Sequence, residues 1–142
     1  MNDDVTLLNY IYQNSQMGVG TIQRLLDISK DTSFKSLLKA QYEGYQAINE
    51  KAKSLLNKNG YDEKGLNAFE KIRTSLMINI QTLTDQSSSH IAEMMIIGSN
   101  MGVIDAIKNL KKCKKANPDI MNLMEKLKTF EENNISSLKE FL

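Results

Sequence analysis

Ser15-Gln16-Met17-Gly18-Val19 returns as Ser99-Asn100-Met101-Gly102-Val103, displaced by 84 residues. The echo is wider than five letters. At 100° per residue, Leu8, Ile11, Tyr12, Ser15, Val19, Ile22 and Leu26 share one side of a helix. The same displacement carries them to Ala92, Met95, Ile96, Ser99, Val103, Ala106 and Leu110, again one side. A second stripe, Phe34, Leu37, Leu38, Gln41, Tyr45, Ile48, Ala52, Leu55 and Leu56, maps by 86 residues onto Ile120, Leu123, Met124, Leu127, Glu131, Asn134, Leu138, Phe141 and Leu142. Two helical hairpins with matched apolar faces bury those faces against each other. The expected fold is all-α, a four-helix bundle built from two duplicated hairpins.

Working outward, the pattern predicts one domain over 1–142: hairpin one at 3–58, a crossover at 59–88 and hairpin two at 89–142. Asp3 or Asp4 caps the first helix, and Asp31 to Ser33 offer the next cap. Gly60 ends the second helix. The crossover is too long for a simple turn and carries its own amphipathic stripe, Leu66, Phe69, Ile72, Leu76, Ile80 and Leu83. Ser87-Ser88-Ser89 recaps the third helix, which is expected to run to Lys115, and Asn117-Pro118 opens the fourth.

Composition narrows the function classes. The chain has 142 residues, 41% hydrophobic and 25% charged, with a net charge of +1, so no broad electrostatic attraction to nucleic acid is expected. Lys108, Lys111, Lys112, Lys114 and Lys115 suit the negative end of a helix dipole, and no aromatic or arginine platform accompanies them. No apolar run reaches the ~18 residues of a membrane span. Met1 leads into Asn2-Asp3-Asp4 rather than a basic signal opening, and Cys113 is the one cysteine. A cytoplasmic setting is therefore expected, without membrane partners. Cys113, among lysines, reads as a solvent-side residue. Ser87-Ser88-Ser89-His90 reads as a helix cap rather than a nucleophile–base pair, because triads are assembled from separate elements.

The duplicated hairpins and long crossover resemble the ferritin-like superfamily, and within it the small uncharacterised bacterial families with a Leu-Asn start and a mid-helix glycine. Here these are Leu8-Asn9 and Gly18. The resemblance implies a ferritin-like bundle with a long helical crossover. It also implies a di-iron or di-manganese centre, built from a Glu on each of two helices and a Glu-x-x-His on each of the other two. The sequence departs from that pattern. Between Val5 and Leu26 there is no Asp, Glu or His, and the only histidine, His90, has Ser87 three positions before it.

The inward mid-helix positions instead hold Ser15, Gln16, Gln41, Tyr45, Ser99, Asn100, Glu131 and Asn134. One carboxylate among amides and hydroxyls does not balance two metal ions, so the expected function is non-enzymatic and metal-free, with a structural or protein-interaction role. These groups are expected to form a hydrogen-bonded cluster holding the bundle in register. The alternative is a divergent iron- or manganese-binding protein with an unconventional site around Glu131, Gln41, Tyr45 and Asn134. On the far side of the third helix, Met94, Ile97, Met101 and Ile104, with Met17 of the first, predict a homodimer seam or a face covered by the crossover helix.

Overall fold

A computed structural model describes residues 2–61, 80 and 83–142. Among the described residues there are four α-helices and no strand: α1 Asp3–Ile28, α2 Thr32–Lys58, α3 Ser88–Lys112 and α4 Pro118–Leu138, followed by a 3-10 turn at Lys139–Phe141. The crossover helix expected over Leu66, Phe69, Ile72 and Leu76 lies outside the described residues.

The helix ends follow from local chemistry. Asn2, rather than Asp3 or Asp4, caps α1, its side-chain oxygen accepting from the Val5 amide at 2.9 Å. The two aspartates are engaged elsewhere. Asp3 accepts from the Lys115 amide at 2.9 Å, and Asp4 from the Asn117 amide at 2.6 Å, which ties the start of α1 to the α3–α4 connection. Asp31 caps α2, Ser87 caps α3, and Asn117 caps α4 with Pro118 in its first turn. After α2, Gly60 takes φ +79, while Gly60 and Tyr61 donate to the Asn57 and Leu56 carbonyls. That paired closure is where a glycine's freedom is needed.

α3 stops at Lys112, short of the expected Lys115, because the chain turns inward there. Cys113 and Ala116 are buried in the core, so the reading of Cys113 as a solvent-side residue is corrected. Burial pushes its thiol pKa up, and the Asp3 charge adds to this.

α1 packs along α2 and α3 along α4, and the two hairpins meet chiefly where α4 lies against α1 and α2. The α2 and α4 stripes stand as expected: Phe34, Leu38, Tyr45, Ile48, Ala52 and Leu56 face inward, as do Ile120, Leu123, Met124, Leu127 and Leu138. Each large apolar side chain so buried contributes ~1.5–3 kcal/mol. Phe34 packs on Phe141 at 5.0 Å, closing one end, while Leu142 is exposed. On α1 the buried strip is broader than expected and rotated, running through Leu7, Leu8, Ile11, Asn14, Ser15, Ile22 and Leu25.

Candidate functional site

Halfway along the bundle, all four helices bring polar side chains into the core. Tyr45 on α2 donates its hydroxyl to Glu131 Oε1 on α4 at 3.5 Å. Tyr10 on α1 donates to the Gly102 carbonyl on α3 at 3.3 Å, and Asn14, one turn on, donates its amide to the Tyr10 oxygen at 3.2 Å. Ser99 of α3 sits beside the Tyr45 hydroxyl.

Two glycines make room for this centre. A Cβ on Gly18 would lie 2.7 Å from the Tyr45 ring, and one on Gly102 would collide with the Glu131 carboxylate. The missing side chains let Tyr45 and Glu131 lie directly over the neighbouring helix. The Tyr45 ring is further held edge-on by Phe130, centroids 4.8 Å apart.

The electrostatics follow from burial. Glu131 is only 2% exposed, and desolvation pushes its pKa up to about 8. Asn14 and Tyr45 oppose that rise by hydrogen bonding, while the negative charge of Asp105 adds to it. At neutral pH the carboxyl is mainly protonated. Burial also raises the phenols of Tyr10 and Tyr45, with Glu131 adding to both, so both stay neutral. Among the described residues, Glu131 Oε2, Gln41 Nε2 and Asn134 Nδ2 are buried without a hydrogen-bond partner.

The expected cluster is only partly assembled. Tyr45, Ser99 and Glu131 come together, and Gln41 and Asn134 are buried nearby along α2 and α4. Ser15 is buried but separate: its hydroxyl donates to the Ile11 carbonyl at 2.6 Å and accepts from Asn49 at 3.1 Å. Gln16 is half-buried, at the edge. Asn100 is exposed, which corrects its placement in the cluster; one residue past Ser99 turns the side chain by 100°, out of the core. Tyr10 and Asn14 join instead. Their signal was the i, i+4 spacing of two hydrogen-bonding side chains in a helix without acidic residues at its centre.

Beside Glu131 lies a cavity of about 120 Å³ between α1 and α3, with Asn14, Tyr45 and Ser99 at its polar end and Met17, Ile22, Leu25, Met94 and Met95 along its walls. Met17 and Met94 thus turn toward this cavity, half-buried, rather than outward as part of a seam. Ile97, Met101 and Ile104 do face outward, 56%, 61% and 51% exposed.

The described residues do not fit a di-metal centre. Among the described residues, Glu131 is the one carboxylate of the inner cluster, too little negative charge for two metal ions. Among the described residues no three His, Cys, Asp or Glu side chains gather closely enough to hold a metal ion. Nor is a helix among them long and apolar enough to cross a membrane. No protein-family model, curated protein or solved structure matches the chain.

Proposed function

We propose that this chain is a non-enzymatic, metal-free bundle of ferritin-like architecture, working in the cytoplasm through contact with a second copy of itself along α3. The outer face of α3 carries the reading. Glu93, Ile97, Met101, Ile104 and Lys108 are all exposed and recur at steps of three and four, a seam about 22 Å long at 1.5 Å per residue.

That face is complementary to itself. Two α3 helices laid antiparallel about a two-fold axis between Asn100 and Met101 set Ile97 of one copy against Ile104 of the other. The same register places Glu93 opposite Lys108, twice by symmetry. Apolar residues at the centre with opposite charges at both ends are what an isologous contact requires.

Sedimentation of the chain across a concentration series tests this. A dimer is expected, with Ile97→Glu reduced to monomer at unchanged helical circular dichroism. A wild-type chain that stays monomeric throughout overturns the reading. Iron retained stoichiometrically by the purified chain would overturn its metal-free part and return attention to Glu131, Gln41, Tyr45 and Asn134.

A further inference from the structure

We propose that the cavity beside Glu131 binds a small primary amine with a short apolar body, its ammonium pairing with the Glu131 carboxylate. Three observations converge. The cavity has a volume of about 120 Å³, somewhat below the ~150 Å³ of an engineered cavity that holds benzene, so it suits a ligand of roughly five heavy atoms. Its walls are apolar and soft, with Met17, Met94 and Met95 able to adjust to an alkyl chain. Glu131 lines its polar end, and the Oε2 of that carboxyl group is buried without a hydrogen-bond partner.

The charge class follows from what surrounds that oxygen. α1 presents Asn14 and the neutral Tyr10 to Glu131, α2 presents Tyr45, and α3 presents Ser99 and the negative charge of Asp105. An anion would meet two carboxyl groups there. An alcohol offers a single donor and no charge. An ammonium offers three donors, for which the Glu131 carboxylate and the hydroxyls of Ser99 and Tyr45, all residues that line the cavity, are acceptors. Binding of the ammonium releases the carboxyl proton of Glu131 to solvent and supplies the ionised acid with a partner.

Binding of n-butylamine, 1-butanol and butyrate, followed by calorimetry and by the shift in melting temperature, tests the site. Butylamine is expected to bind saturably, at least ~10-fold tighter than butanol, with butyrate not binding. The amine's affinity is expected to rise between pH 6 and 9 as Glu131 loses its proton, since a tenfold change is about 1.4 kcal/mol. Glu131→Gln is expected to lower amine affinity at least ~10-fold and leave butanol unchanged. Gly98→Leu, at a lining position where an added Cβ meets nothing within 4 Å, is expected to occupy the cavity from the α3 side and abolish binding of both. Equal affinity for amine and alcohol, amine binding unaffected by Glu131→Gln, or no saturable amine binding overturns the proposal.

Discussion

Tyr45 and Glu131 meet in the middle of the bundle, hydroxyl to carboxylate oxygen at 3.5 Å, and each lies over a glycine of the helix beside it. Tyr45 covers Gly18, and Glu131 covers Gly102. The glycines are 84 residues apart and the side chains 86, the same displacements that relate the two halves of the sequence. The close approach of helices within each hairpin and the polar centre between hairpins thus depend on the same four residues.

Adding a methyl group at these glycines is expected to destabilise the fold. Gly18→Ala pushes on the Tyr45 ring and should cost ~1–3 kcal/mol through overpacking. Gly20→Ala, two residues on, meets nothing within 4 Å and should gain ~0.5–1 kcal/mol from better helix propensity. Urea unfolding of the two variants should shift in opposite directions.

Stability should fall as pH rises from about 4.5 to about 8. The folded Glu131 holds its proton up to about 8, whereas the ordinary value is 4.5. Across that window the folded state binds more protons than the unfolded chain, so raising pH favours unfolding, by at most roughly 5 kcal/mol. The penalty is absent below the window and complete above it. Glu131→Gln should flatten this slope and raise the melting temperature at pH 8.5 relative to wild type; an unchanged slope would count against a buried, protonated acid.

Asp3 and Asp4 act on backbone amides across the molecule, not on their own helix. Replacing both with Ala should cost ~1 kcal/mol for each lost hydrogen bond. Hydrogen exchange should speed up at Lys115 and Asn117 while the Val5 amide, held by Asn2, is less affected.

The α3 register makes a charge-swap prediction. Glu93→Lys and Lys108→Glu should each weaken self-association, and combining them should restore it, because opposite charges then face each other again. Raising salt should weaken the wild-type contact modestly. Sedimentation equilibrium of the three variants reads this directly.

Cys113 is 1% exposed, and burial raises its thiol pKa. In the folded protein it should react with a disulfide reagent at least ~100-fold more slowly than after unfolding, despite the flanking Lys111, Lys112, Lys114 and Lys115.

The α2 and α4 stripes were legible in the sequence because each is amphipathic in the plain sense, with polar residues filling the other side. α1 was harder to phase. Leu7 and Leu8, then Asn14 and Ser15, are buried as adjacent pairs, so more than one stripe satisfies the period. Choosing the phase through Tyr12 and Val19 left Tyr10 and Asn14 outside the expected cluster. Gly18 gives no hydrophobic signal, yet it marks the closest approach of α1 to Tyr45. Asn100 and Gln16 are matching positions of the repeat, yet the structure puts the first outside and the second at the edge. The lone carboxylate of the inner cluster, Glu131, was visible beforehand, but its unpartnered oxygen and the neighbouring cavity depend on where α1 and α3 stand apart.

The tie between Asp3, Asp4 and the α3–α4 connection spans 112 and 113 residues of chain. During vectorial synthesis, α1 and α2 are close in sequence and can pair as soon as both have emerged. The amides that Asp3 and Asp4 accept from are made only 112 and 113 residues later. The first turn of α1 is therefore made well before its native partners, and Asp3 and Asp4 go without these amides until the second hairpin is synthesised.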